Sequence, residues 1–477
     1  MQIIDASSYR VIVVGAGAAG ILAAHAAAIS GAKVLVLEGR ERPARKILVT
    51  GKGRCNLTNT APKEEFLAQL RPQAAPEFFR PALEAFSPRD LCDLLEDLGL
   101  DTVEERGGRV FPAPPSTLPN PDRKGGGPAR PNAPLRTGGQ GVRLIKSDPL
   151  IKSDPSPRGG GQGEGPPSGS GSRAVADTLQ RLLQHPDITV LTSRRVTGAS
   201  KVPGGCVISG EDFQLSVGPR QALILACGGA SYPSTGSRGD GYPLAAALGH
   251  RLVIPRPSLV GLLCRENMKG LADLTLRNVR LWINDGATQV FDGFGELELT
   301  DYGIWGPIVL DASRVAVPLL ATGRTLQAHL DLKAALPPDK LEIRFNRDLA
   351  EAPQDTTVAM LGGLLARPLI PWFVTRGALD GRRRVCDLTP AMRQKILLLL
   401  KDLPLTLTGY RPIEEAIVTQ GGVALEQVDP ATLRSKVLPN VYFAGELLDL
   451  DGPTGGFNLQ IAFSTGYLAG KSAAAHI

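Results

Sequence analysis

Six residues near the start, Gly15-Ala16-Gly17-Ala18-Ala19-Gly20, limit most strongly what this chain can become. They stand between a β-branched run, Arg10 to Val14, and an alanine-rich stretch that reads as helix to about Ser30. Strand, glycine turn and helix in that order form a dinucleotide-binding unit. Gly15 permits the tight turn, Gly17 lets main chain approach a pyrophosphate, and Gly20 lets helix and strand close on one another. The helix start adds unpaired N–H groups and the positive end of a dipole. A second strand, Lys33 to Leu37, ends on Glu38, placed to hydrogen-bond ribose hydroxyls and to disfavour a 2′-phosphate. Read as a ligand-free Gly/Ala helix packed on a sheet, the same run leaves that acid unexplained.

The order recurs at the other end. Asn440 to Ala444 is a buried-strand pattern ending in Gly445-Glu446, and Gly455-Gly456 leads through Asn458 and Leu459 into a helix with Ala462, Gly466 and Gly470. A carboxylate at a strand end suits a polyol hydroxyl, and a helix start suits a developing negative charge. A third buried run, Gln221 to Ala226, ends in Cys227-Gly228-Gly229. After Glu38 the loop carries Arg40, Arg42, Arg45, Lys46, Lys52 and Arg54 among Gly51 and Gly53, cations and flexible main chain that suit an anion.

Within that loop Lys46-Ile47-Leu48 and Gly51-Lys52-Gly53-Arg54-Cys55-Asn56-Leu57-Thr58-Asn59 resemble the K-[IL]-L-x-[ST]-G-x-G-R-C-N-x-T-N signature of the BaiN/YhiN-like bacterial flavoproteins. Those NAD(P)/FAD-dependent oxidoreductases include a dehydro-bile-acid reductase. Gly108 to Pro112, Ala226 to His250, Thr419 to Val423 and Phe443 to Gln460 resemble further signatures of the family, in the same order along the chain. The resemblance implies bound FAD, with NAD(P)H as a transient electron donor, and reduction of a small organic substrate, an activated carbon–carbon double bond among the options. It places Lys46, Gly53, Arg54, Cys55, Asn56, Gly228, Gly445, Glu446, Gly455, Gly456, Asn458 and Leu459 beside the cofactor, with Gly15, Gly17, Ala18, Ala19, Gly20 and Glu38.

Two departures stand out. Cys227 occupies a position where the family has Thr, and a small buried thiol fits there. In Leu299 to Pro307, similar to the family's T-H-x-G-[IL]-S-G-P, Asp301 replaces His and Trp305 replaces Ser. A carboxylate and an imidazole differ in proton chemistry, so Asp301 and Tyr302 enter as substrate-side candidates without an assigned catalytic role.

The expected fold is α/β: a discontinuous Rossmann-like FAD-binding domain (1–117, 173–253 and 405–477), a β-rich inserted domain (254–354) and a small helical domain (355–404). Turns are expected at Asn284-Asp285-Gly286 and Asp292-Gly293. Residues 118–172, with the tandem IKSDP and repeated glycine runs, are a low-complexity insertion that loop-closure entropy tolerates. The six cysteines are scattered without a C-x-x-C pair, against a disulfide scaffold or structural zinc, and no metal site is expected. The N-terminus lacks the charged and apolar regions of a secretory signal, and no apolar stretch reaches the roughly 20 residues of a membrane span, so a cytoplasmic protein without a membrane partner is expected. A net charge of +6 reads as a mildly basic surface spread over the chain, with no nucleic-acid partner expected. Two other activities remain open at this level: an amine or aminoketone oxidase, and a flavin-containing RNA-binding or RNA-modifying protein.

Overall fold

The computed structural model describes residues 2–114 and 170–476. Nearly all of the 118–172 insertion lies outside the described residues; its last three residues open a helix that runs Ser170–Leu182.

Five parallel strands form the central sheet: β1 (Val11–Val14), β2 (Val34–Leu37), β3 (Ile188–Leu191), β4 (Ala222–Leu225) and β5 (Val441–Phe443), in the order β5-β4-β1-β2-β3. Val11 lies opposite both Val34 and Ala222, and Leu225 opposite both Val14 and Phe443, so the strand ends are level. β1, β2, β4 and β5 are buried throughout, which is why their sequences are continuous apolar runs, from Val-Ile-Val-Val in β1 to Val-Tyr-Phe in β5, instead of alternating ones. Three helices position the site: α1 (Ala18–Ile29), α2 (Pro307–Leu320) and α3 (Phe457–Ala475). α1 and α3 touch main chain to main chain; a Cβ on Gly466 or Gly470 would stand 2.1 Å from the carbonyl oxygen of Ala19 or Ala23. The first and last helices of the nucleotide half thereby become one layer.

The antiparallel pair Leu252–Ser258 with Val418–Val423 links this half to a second hydrophobic core, drawn from residues between Val260 and Ala416. There, strands Leu262–Cys264, Leu274–Asp285, Thr288–Leu299, Gly303–Trp305, Leu326–Asp331 and Leu403–Tyr410 close into a barrel. The chain leaves the barrel after Asp331, builds helices that include Pro338–Glu351, Leu369–Arg376 and Pro390–Lys401, and returns to supply the closing strand. The barrel therefore draws on residues beyond both 354 and 404.

One expected turn is corrected. Asp292-Gly293 lies inside the strand Thr288–Leu299, with Leu281 opposite Gly293, and the hairpin reverses at Gly286-Ala287. Gly293 makes room for α2: a Cβ there would meet the Phe291 ring at 2.8 Å and Ile308 Cγ1 at 3.2 Å. Among the described residues no helix is long and apolar enough to cross a membrane.

Candidate cofactor and active site

β1 ends at Val14, the chain turns through Gly15, and α1 begins after Gly17. A Cβ on Gly20 would sit 1.8 Å from the Gly15 carbonyl oxygen, so only glycine allows this turn to close. Gly17 is different. Nothing lies within 4 Å of its Cβ position, and no side chain caps the helix it begins. Open space in front of uncapped N–H groups at a helix start fits a pyrophosphate. Ala18 is half-buried at the mouth of this cradle, whereas Ala19 is turned inward against α3 and Gly445.

Glu38, at the end of β2, is half-buried, and its carboxylate accepts from the N–H groups of Ala16 (2.7 Å) and Arg40 (2.8 Å). Burial pushes its pKa up; the two N–H donors and the Arg40 and Arg45 cations pull it back. This acid thus ties the glycine turn to the strand end where a ribose would lie.

The chain's two ends meet at Glu446. Its carboxylate accepts from Lys46 Nζ (2.7 Å), Ser231 Oγ (3.1 Å) and the Thr419 N–H (2.7 Å), while Lys46 Nζ also donates to Ser231 Oγ (2.6 Å). Four separate segments converge there. Gly445 hands its N–H to Thr465 Oγ1 on α3 at 2.9 Å, and Gly228 lies at the end of β4 beside Ser237. Gly456 precedes α3 so close to the strand residue Thr58 that a Cβ would stand 2.3 Å from its carbonyl oxygen. Asn59 Nδ2 donates to the Gly455 carbonyl (3.1 Å). With its amide nitrogen turned to the carbonyls of Thr58 and Val110, Asn56 accepts from the Gly456 N–H at 3.3 Å.

Other predicted residues have structural work to do. Gly53 ends a 3-10 turn; Arg54 pairs with Glu105 and lies 4.2 Å over the Phe111 ring. Cys55 is fully buried, and burial pushes its thiol up to about 12, as it does for Cys227, so neither is a nucleophile at neutral pH. Asn458 spends its side chain on its own turn, accepting from the Gly452 N–H (2.9 Å) and donating to the carbonyls of Gly452 (2.8 Å) and Pro453 (3.1 Å). Leu459 packs on the main core.

Asp301 and Tyr302 form the corner before the short strand Gly303–Trp305, closed by Thr300 N–H to Gly303 O (2.9 Å) and Gly303 N–H to Thr300 Oγ1 (3.1 Å). Asp301 is exposed. Tyr302 lies under the Arg411 guanidinium at 4.7 Å, and burial raises its phenol pKa. Between the two large cores sits a small third one, Leu259, Leu310 and Val418 with Trp305 and Ile417 packed against it. Val418 adjoins Thr419, and the Ile417 carbonyl accepts from Ser231 Oγ (3.1 Å), so this apolar patch borders the Glu446 cluster. Sequence reasoning did not single out Thr419, Ser231 or Ile417 as site residues; the two hydroxyls lay within quoted motifs, but Ile417 left no pattern to read.

The fold class follows: the chain is a Rossmann-type FAD-dependent oxidoreductase. Its sequence fixes the family. The chain belongs to the HI0933-like protein Rossmann domain family, matched over residues 9–118 and 166–472. It is 30% identical to the 3-dehydro-bile acid delta(4,6)-reductase of Clostridium scindens over 98% of this chain and 99% of the relative. It is 25% identical to the ribosomal RNA dihydrouridine synthase of Haemophilus influenzae over 97% of each. Among solved structures, 3-ketosteroid delta1-dehydrogenase from Sterolibacterium denitrificans, in complex with 1,4-androstadiene-3,17-dione, aligns over 98% of this chain and 100% of that one, with 14% identity and a TM-score of 0.47.

Proposed function

We propose that this protein is an NAD(P)H-dependent reductase of a carbon–carbon double bond conjugated to a carbonyl, in a small and largely apolar substrate. The observation that carries the reading is the third core: Trp305 and Ile417, half-buried over the buried Leu259, Leu310 and Val418, make an apolar patch next to the Lys46–Glu446 cluster. A hydrophobic ring system gains by burial against such a patch. The relative named as a 3-dehydro-bile acid delta(4,6)-reductase supports the same reaction class.

When bound and reduced by the nicotinamide, the flavin would supply the hydride for the β carbon of such a bond. The chain's own residues then have separable duties: Gly17 and the start of α1 hold the pyrophosphate, Glu38 the ribose, and Glu446 with Lys46 the polyol side. Tyr302, half-buried under the Arg411 guanidinium and carrying its proton at neutral pH as a phenol ordinarily does, is the candidate to protonate the α carbon; Asp301 is the exposed neighbour. The nicotinamide donor docks transiently, without a glycine cradle of its own.

The test is an anaerobic titration of the FAD-loaded protein with NADH and NADPH, followed by a conjugated 3-oxosteroid. Loss of the visible flavin absorbance on nicotinamide addition, and its return on adding the enone, is the expected result. Flavin reduced only by an amine overturns the reading in favour of an oxidase.

A second reading, RNA reduction, has one specific observation behind it besides the dihydrouridine synthase relative. The excess over the whole chain is small, but one stretch is locally rich in cations, although Arg376 and Lys401 in it pair with Glu266 and Asp331. Between Arg367 and Lys401 eight cations (Arg367, Arg376, Arg382, Arg383, Arg384, Arg393, Lys395 and Lys401) face two acids (Asp380 and Asp387), a local excess of 8 − 2 = +6 against +6 for the whole chain. Salt-dependent retention of RNA, lost on neutralising Arg382 and Arg384, would favour it.

A further inference from the structure

The barrel half reaches into the turn that leads to α3. On one side α2 buries Ile308, Val309, Ala312, Ala316 and Val317 in the second core. From another side it extends two charged groups across the boundary. Asp311 Oδ1 accepts from the Thr454 N–H at 2.8 Å and Oδ2 from Thr454 Oγ1 at 3.3 Å. Arg314 donates through Nε to Asp451 Oδ2 (2.9 Å) and through Nη2 to the carbonyls of Asp451 (3.0 Å) and Gln69 (2.8 Å). Ser258 Oγ donates to the same Asp451 oxygen at 2.9 Å. Arg314 and Asp451 are only 9% and 4% exposed.

A buried ion pair is a poor source of stability compared with apolar packing of the same volume, but it fixes geometry closely because either ion alone would be stranded. Here the geometry fixed is that of Asp451 to Thr454, followed at once by Gly455-Gly456 and the first turn of α3. From the nucleotide half, Asn59 and Asn458 hold the same turn. From the barrel half, Asp311 and Arg314 hold it, with Ser258 at the end of the linking strand. Gly456 has no side chain with which to cap α3, so among the described residues the N–H groups inside its first turn and the positive end of its dipole can face a ligand.

We propose that Asp311 and Arg314 are positioning residues for the flavin: by clamping Thr454 and Asp451 they aim the start of α3 at the flavin edge that becomes electron-rich on reduction, and so raise its redox potential. The proposal rests on the FAD reading above. It also gives the barrel half, which supplies Trp305 and Leu310 to the small third core, a direct mechanical link to the cofactor.

The experiment compares oxidised and reduced FAD binding in the parent, Asp311→Ala, Asp311→Asn and Arg314→Lys, by redox titration against a reference dye, with circular dichroism to confirm folding. In Asp311→Ala the reduced flavin is expected to lose about tenfold more affinity than the oxidised one, a potential about 30 mV lower for a two-electron couple. Asp311→Asn, which keeps an acceptor for the Thr454 N–H, restores most of that loss. A folded, yellow Asp311→Ala protein with the parent's potential overturns the proposal. Should Asp311→Ala fail to fold, Arg314→Lys and Asp311→Asn decide: an unchanged potential in both overturns it, and a lowered one in Arg314→Lys supports it. A parent protein that takes up no FAD sinks the cofactor reading itself, a result distinct from either.

Discussion

The nucleotide half and the barrel half are held together by different means. In the first, main chain presses on main chain: Gly20 on Gly15, Gly456 on Thr58, Gly466 and Gly470 on α1. In the second, side chains such as Leu281, Ile283, Leu297 and Phe345 fill the core, and main chain meets main chain more locally, as where a Cβ on Gly303 would stand 2.2 Å from the Leu262 carbonyl oxygen. The difference is one of tolerance. A main-chain contact admits a single residue type, whereas a core position admits several apolar ones at modest cost. The glycine contacts consequently admit little change, whereas a core side chain such as Leu281 can be exchanged for another apolar one.

The contrast breaks most visibly at Gly20. A Gly20→Ala chain must push the Gly15 carbonyl aside by more than the turn can give, and loss of folded protein is expected, read by circular dichroism and yield. A variant that folds with FAD bound would show the main-chain contact to be soft. Next, Leu281→Ala in the barrel should cost about 2–5 kcal/mol by the usual price of a large core truncation. Below its transition the protein should keep its flavin colour, because Leu281 belongs to the second core. Flavin release in step with barrel unfolding would mean that the halves melt as one unit.

The third effect depends on pH. His25 lies in α1 with its Nδ1 buried and without a hydrogen-bond partner among the described residues, and burial, with a smaller push from His185, lowers its pKa to about 4. The unfolded chain binds this proton near pH 6.5, so the contribution is intact above that pH and shrinks as pH falls toward 4. Between those limits wild-type should lose at most about 3 kcal/mol relative to His25→Leu, measured by urea unfolding across the range. In the barrel, His329 already pairs with Asp402 at 2.6 Å. Parallel pH curves for the two proteins would remove His25 as the cause.

The smallest effect is the sharpest. Gly17→Ala meets no atom within 4 Å, so the folded protein should melt as the parent does without FAD. Its FAD affinity should nevertheless fall at least tenfold, about 1.4 kcal/mol, because the new methyl occupies the cradle. Equal FAD affinity would show that the pyrophosphate lies elsewhere.

Read from the chain alone, Arg10 to Glu38 foretells its strand, turn, helix and strand almost to the residue, since each is fixed by neighbours a few positions away. The same local logic misplaced Asp292-Gly293, because the small residue there answers to Ile308 on a helix that follows later in the chain. It also missed that the barrel closes with Leu403–Tyr410.

Sequence by itself determined the nucleotide fingerprint, the family and the cofactor, because those demands act on short stretches where glycine, strand and helix must follow in order. Only the tertiary structure decided that Lys46, Ser231, Thr419 and Glu446 share one cluster, that Ile417 borders it and Trp305 packs on the small core alongside, and that Asp311 and Arg314 grip the turn before α3. These contacts join residues more than a hundred positions apart in most cases, and a partner at that distance is set by how two cores pack, which no local pattern encodes.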